Sequence, residues 1–383
     1  MVLVFLYFAL FLIVHLVAKQ FKTAGAARLF QLVSCFILLF GIFGFRDITV
    51  LNDTSHYYGF YYHKAHLLSY KTEPITTFHM LDKFEYGFQI LIHLLVQYVS
   101  KNPYTIIIFS SLVITIGELW VIDKHAKDIA KVCFYMLVAS LIFTHYCVIR
   151  QAFALIFFYV AFGYLEKGKT GKYYLLILLA GMFHYSALVL LVLPVAIRIK
   201  PSKRNAAITI CAALLLAVFL FEILSLLGLR DHPYYQNAVQ KGALSMIGLV
   251  DLLFMCAFLA LCLWAQKLNQ AAPMKPAYFW VFLTAFCVCL LAPVIYPISR
   301  INEYLWPFMI FQLLRYINPA AMRQPCGQPN NKANSLLRIM VITLFAIKLI
   351  GINTIRPEWL HVDDYQFYDF SKTHHTYNLY PQE

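Results

Sequence analysis

The chain reads as an all-α, multi-pass integral membrane protein. Of its 383 residues, 61% are hydrophobic, 17% aromatic and only 13% charged, too little polar material to clothe a soluble domain of that size. Apolar runs of roughly 20 residues, enough to cross ~30 Å of hydrocarbon as helix, recur along its whole length. The basic residues collect in alternate loops. These features predict one transmembrane domain over residues 1–383 with about 10–12 helices, counting a re-entrant or broken pair.

Crossings are expected at Val2 to Val17, Leu29 to Phe45, Tyr104 to Ile122, Val132 to Ile149, Arg150 to Leu165, Ala206 to Leu227, Ala243 to Leu263, Ala277 to Ile295, Ile301 to Ile317 and Leu336 to Ile352. Val2 to Val17 has no basic leader and no small-residue cleavage site, so it is expected to stay as a helix. Tyr86 to Val99 is short and ends at Ser-Lys-Asn-Pro, which points to a partly inserted or interfacial helix running to about residue 100. Tyr173 to Ile197 is apolar throughout, but Gly-Met-Phe-His-Tyr-Ser interrupts it and Pro194 sits near its end. That pattern fits two half-helices which return to the side they left, and equally a single kinked crossing.

Charge selects the first of these. With both odd segments returning, one set of loops holds most of the 31 basic residues, from Lys19, Lys22 and Arg28 through Lys124, Lys127 and Lys131 to Arg315, Arg323, Lys332 and Arg338. By the positive-inside rule that face is cytoplasmic. The other face receives the segment 46–85, the turns at Arg150 and Arg300, the loop Arg230 to Lys241 and the tail 354–383. Membrane orientation thus accounts for the net charge of +13, and no nucleic-acid partner is implied. Most of the nine cysteines lie in apolar runs, so no disulfide framework is indicated.

The outer face carries the unusual residues. Segment 46–85 packs Arg46, Asp47, Asp53, four histidines, many tyrosines and Glu85 into a stretch too polar to cross and too aromatic for a slack linker. Carboxylates interleaved with rings suit sugars, whose apolar faces stack while their hydroxyls hydrogen-bond; an interfacial aromatic belt would look similar. His56, His63, His66 and His79 match no metal-ligand spacing, so neither a metal nor another cofactor is expected. Arg46, Arg150 and Arg300 stand at three outward helix ends, a plausible collar for a phosphate-bearing lipid, although each alone is explained by snorkelling. His184 lies at the break, where it can accept a proton, donate to phosphate or orient a sugar. Glu118, Asp251 and Lys348 read first as interhelical partners.

Phe45-Arg46-Asp47 followed by Asp53, Tyr57 and Tyr58, then Glu85-Tyr-Gly-Phe88, Ile149-Arg-Gln-Ala-Phe-Ala-Leu155, Phe183-His-Tyr-Ser-Ala-Leu188 and Ser299-Arg-Ile-Asn-Glu-Tyr304, in that order, resemble the EpsG-type branch of Wzy polysaccharide polymerases. One departure is that three residues separate Asp53 from Tyr57, where the family's aspartate commonly precedes an aromatic. The resemblance implies a GT-C-like inner-membrane glycosyltransferase, with a periplasmic catalytic face, that joins undecaprenyl-pyrophosphate-linked oligosaccharide repeat units for O-antigen, capsule or exopolysaccharide. It further implies Arg46, Arg150 and Arg300 as pyrophosphate ligands, and Asp53, Glu85 and His184 as candidates to bind or deprotonate the acceptor hydroxyl. Tyr57, Tyr58, Tyr61, Tyr62 and Tyr304 would line the sugar groove. Membrane lipids and a chain-length regulator are the expected partners, the latter through the aromatic, acidic tail. Another lipid-linked-sugar transferase, a flippase or transporter for such lipids, and a membrane O-acyltransferase are the competing classes. A transporter should show internal repeats and charges reaching both faces, and an acyltransferase an early Arg-His pair; the chain displays none of these.

Overall fold

The computed structural model describes residues 2–70, 84–226, 228, 244–326, 331–355, 357–362 and 365–371. His79, the loop Arg230 to Lys241 and the last twelve residues lie outside them. The described residues are overwhelmingly helical and contain no strand; Arg46 and Phe367 form an isolated bridge. The chain divides into two compact units. One comprises residues 1–160, 175–185 and 345–383, the other residues 161–174 and 186–344.

In the first unit, α1 (Val2–Ala18), α2 (Ala24–Gly44), α5 (Thr105–His125) and α6 (Ile129–Val138) pack side by side, with α2 against α5 and α1 against α6. α3 (Thr54–Tyr70) and α4 (Tyr86–Tyr98) cover one end. α7 (Leu141–Cys147), α8 (Ile149–Glu166) and α9 (Thr170–Phe183) follow; α8 and α9 each contribute residues to both units. In the second unit, α10 (Leu193–Ala196), α11 (Lys203–Val218), α13 (Met246–Leu268) and α15 (Asn302–Ile317) pack around α14 (Pro276–Leu291), and α12 (Leu220–Leu226) packs on α11. α16 (Asn331–Ile355) and the short α17 (Pro357–Leu360) complete the chain.

Among the described residues, five helices are long and apolar enough to span a membrane: Ala24–Gly44, Thr105–His125, Ile149–Glu166, Met246–Leu268 and Ala333–Ile355. Two bent pairs raise the number to seven. The expected crossing Val132 to Ile149 is such a pair, α6 and α7 meeting at 75°. Ser140 adopts a left-handed φ of 62° there, a conformation a helix interior cannot continue through. The expected crossing Ala206 to Leu227 likewise bends by 68° between α11 and α12. The remaining expected crossings are apolar helices of 17 residues or fewer, short of the length a straight span ordinarily requires. Leu29, Ile37, Leu253, Ile339 and Ile347 are all more than 60% exposed, as suits side chains that face acyl tails and not water.

Between Tyr173 and Leu190 the chain doubles back. In a straight helix these residues would stand ~25 Å apart, yet the Tyr173 hydroxyl donates to the Leu190 carbonyl at 2.7 Å. α9 ends at Phe183, His184 leaves the helix, and a 3-10 turn takes over from Tyr185 to Val192.

Arg46 organises one end of the first unit. It is fully buried, and its guanidinium donates to Thr54 Oγ1 at 3.2 Å, Ser111 Oγ at 3.0 Å, the Tyr146 carbonyl at 3.0 Å and the Phe43 carbonyl. One side chain thereby ties together the end of α2, the start of α3, α5 and α7. The tail closes over this hub. Asp47 N donates to the Gln366 carbonyl at 2.8 Å and Tyr368 N to the Phe45 carbonyl at 2.9 Å. The Tyr368 ring stacks on Tyr104 at 3.8 Å, and the Tyr104 hydroxyl lies 2.7 Å from the Arg46 carbonyl.

Arg46→Lys retains a charge but cannot reach four acceptors on four elements. It should cost about 3 kcal/mol or more, read as a lowered thermal unfolding midpoint in detergent. An unchanged midpoint would remove Arg46 from this role.

Candidate active site

Glu85 is the residue before α4, at φ −65° and ψ 149°, and its side chain makes no capping bond to that helix. The carboxylate is therefore available elsewhere. One oxygen, Oε2, accepts from Arg150 Nη1; the other, Oε1, lies 2.8 Å from His184 Nδ1. The Glu85 side chain is only 5% exposed, Arg150 20% and His184 15%. Three motifs far apart in sequence thus meet through one carboxylate.

Local structure delivers each group. Arg150 is the second residue of α8, immediately after the α7–α8 corner, and its guanidinium carbon sits 4.5 Å from the centre of the Phe84 ring, within cation–π range. Phe84 in turn meets Phe60, Tyr57 and Phe88 at centroid separations of 4.4, 5.8 and 5.6 Å. His184 is released by the end of α9, its backbone N–H still bonded to the Ala180 carbonyl. Gly87 lets α4 approach that end closely: a Cβ on it would lie 2.8 Å from the Met182 carbonyl oxygen. The glycine of Glu-Tyr-Gly-Phe is therefore a steric requirement for bringing Glu85 to His184. Phe84 and Gly87 belong to this site although residue chemistry alone does not single them out; the Glu-Tyr-Gly-Phe motif is the available signal.

Burial acts to raise the Glu85 carboxyl, but its hydrogen bond to His184 and the Arg150 charge overcome that and hold it below the usual carboxylate range. Glu85 is an anion at neutral pH. With a carboxylate on Nδ1, the neutral His184 tautomer places its proton on Nδ1 and leaves Nε2 as the basic nitrogen, an inference from the hydrogen-bond network. Burial also pushes the Tyr57 phenol well up, and the Arg150 charge beside it offsets this only in part.

The other expected residues lie in varied settings. Asp53 is half-buried one position before α3, where its carbonyl accepts from Tyr57 N at 3.2 Å. Asp47 Oδ1 is engaged locally by Thr49, at 3.0 Å to N and 2.8 Å to Oγ1. The Arg46 guanidinium points into the protein hub at the end of α2. Tyr57, Tyr58 and Tyr61 are buried, whereas Tyr62 is exposed. Arg300 and Tyr304 belong to the second unit. Arg300 is exposed on a 3-10 turn, and Tyr304 is buried with its hydroxyl 3.2 Å from Ser186 Oγ. Glu118 pairs with His145 at 2.7 Å and with the Tyr159 hydroxyl at 2.8 Å, inside the first unit. Among the described residues, no group of His, Cys, Asp and Glu could hold a metal ion.

The fold and this buried cation–carboxylate–imidazole cluster define a polytopic helical membrane protein with a polar site at the ends of its helices. The EpsG family model matches residues 29–359. The chain belongs to the EpsG family, and is a polysaccharide-polymerase-type membrane glycosyltransferase. No curated protein and no solved structure matches it significantly.

Two outcomes follow from this geometry. Gly87→Ala forces its Cβ against the Met182 backbone and should cost about 1–3 kcal/mol in a thermal melt. Glu85, with its pKa depressed by folding, adds stability that is complete above the unfolded value near 4.3 and is lost as pH falls through the lower folded value. Glu85→Gln should therefore show a smaller acid-side loss of stability than the wild type when melts are compared between about pH 6 and pH 3.5. Parallel pH profiles would contradict the ion-pair assignment.

Proposed function

We propose that this protein polymerises undecaprenyl-pyrophosphate-linked oligosaccharide repeat units at the periplasmic face of the inner membrane. The observation that carries the reading is the meeting of Arg150, Glu85 and His184 in one nearly buried corner. Membership of the EpsG family supplies the reaction class. The orientation is supported by the charge distribution of the first unit. Arg28 pairs with Asp123 at 2.5 Å and His15 with Asp128 at 2.5 Å, near the opposite ends of α2 and α5 from Arg46, and Lys19, Lys22, Lys124, Lys127 and Lys131 lie in the same loops.

In the reaction, the acceptor sugar hydroxyl attacks the anomeric carbon of the growing chain. The new C–O bond forms as the bond to the lipid pyrophosphate breaks, and the hydroxyl proton must leave. His184 Nε2 takes that proton, and the imidazolium formed is stabilised by the Glu85 carboxylate on Nδ1. Arg150 pairs with the Glu85 carboxylate, and its charge stabilises the departing pyrophosphate. Glu85, ionised and close to an arginine, serves to orient both groups and is too weak a base to take the proton itself. Asp53 binds acceptor hydroxyls, and Tyr62 contributes to sugar contact. Arg46, whose guanidinium donates to four protein acceptors, supports the fold around this site. A chain-length regulator would meet the protein at the docked tail.

Purified wild type in nanodiscs, given its host's lipid-linked repeat unit, should produce a ladder of polymers. His184→Ala should slow chain growth by about 10²–10⁴-fold, and Arg150→Lys, which loses the planar fork, should lose most activity while remaining folded. Transfer of the intact lipid between leaflets with no ladder would support a flippase and overturn the proposal.

A further inference from the structure

A second arginine site lies within the second unit, where buried donors outnumber acceptors. Arg315, in the last turn of α15, is 4% exposed. Its guanidinium carbon lies 4.7 Å from the centre of the Tyr278 ring, and Nη1 donates to Gln312 Oε1 at 3.2 Å. Among the described residues no carboxylate pairs with it. Its buried Nε has no hydrogen-bond partner, nor does the amide nitrogen of Asn334; the Tyr278 hydroxyl lies beside Arg315 and the Tyr316 hydroxyl beside Gln312, neither in a well-formed hydrogen bond. Asn269 holds Asn334 beside the same helix end, its Nδ2 lying 3.1 Å from the Tyr316 carbonyl and 2.8 Å from Asn334 Oδ1. All four of these groups can donate, and Gln312 Oε1 already accepts from Arg315.

The helix carrying Tyr278 adds to the imbalance. α14 begins with Pro276 at its first position, and Lys275 at the N-cap makes no side-chain capping bond. Its first turn therefore presents the positive end of the helix dipole and uncapped backbone N–H groups. The C-terminus of α15 contributes about half a negative charge in compensation, but two guanidinium groups share it, for Arg338 Nε donates to the Ile317 carbonyl at 2.9 Å. A buried, unpaired arginine is costly, and buried polar groups are ordinarily satisfied. A guest that is compact, negatively charged and rich in acceptors meets every one of these demands.

We propose that Arg315, Tyr278, Tyr316 and the first turn of α14 form a binding site for a phosphate-type anion, separate from Arg150, Glu85 and His184. The same chemistry is offered by the phosphate of an anionic phospholipid headgroup and by free phosphate or pyrophosphate. The test is thermal unfolding of the full-length protein in phosphatidylcholine nanodiscs, with phosphatidylglycerol or inorganic pyrophosphate supplied in separate titrations. A saturable rise in midpoint with phosphatidylglycerol alone assigns a headgroup; a rise with pyrophosphate assigns a free anion. Either response should weaken about tenfold or more in Arg315→Gln and survive in Arg150→Gln. Tyr278→Phe, which keeps the packing, should weaken it to a lesser degree. No midpoint change in the wild type with either probe, or a response abolished by Arg150→Gln and untouched by Arg315→Gln and Tyr278→Phe, would overturn the site.

Discussion

The ionised carboxylate of Glu85 is the interaction on which the candidate active site depends. A carboxylate with 5% exposure is unstable unless opposite charge and hydrogen bonds replace its water. Arg150 and His184 supply both, one on each oxygen. The consequence reaches beyond charge. The arginine is fixed at the start of α8, the imidazole is fixed at the end of α9, and the neutral imidazole is driven toward the tautomer that leaves its far nitrogen basic. The Glu85 contacts also join the residue before α4 to two helices that share no sequence neighbourhood with it.

The surrounding architecture serves that bridge. Gly87 removes the side chain that would hold α4 away from Met182. Phe84 offers Arg150 the face of a ring, so the guanidinium is held on one side by charge and on another by π density. Beneath this layer, Arg46 draws α2, α3, α5 and α7 together, and the tail seals the hub by backbone pairing with residues 45–52. The same residue type therefore does two jobs at one end of the unit. Arg46 is consumed by protein acceptors on four elements, while Arg150 meets the Glu85 carboxylate beside His184.

Much of this is legible in the sequence, and the exceptions have physical causes. The membrane class follows from composition, and the helix break follows from a polar cluster inside an apolar run. Arg150, Glu85 and His184 are each identifiable, but their meeting is not, since nothing in the spacing of residues 85, 150 and 184 shows which carboxylate an arginine will choose. Asp53 and Asp47 read equally well. Arg46 cannot be separated from Arg150 because an arginine at a helix end looks the same whether it turns toward ligand or toward core. The bend at Ser140 is hidden inside continuous apolar sequence. Docking of the tail rests largely on backbone hydrogen bonds, which leave no mark on side-chain pattern. The division into two units is equally hidden, because α8 and α9 run unbroken from one assignment to the other.

The central claim is that Glu85 and His184 act as one unit. A double-mutant cycle on the rate of chain growth, using Glu85→Gln, His184→Ala and the pair together, tests it most directly, with folding verified for each protein. If the carboxylate works through the imidazole, the double variant should be scarcely slower than His184→Ala alone, a strong non-additivity. Fully multiplicative losses would mean that the two groups act independently, and the coupling of carboxylate to imidazole would be refuted.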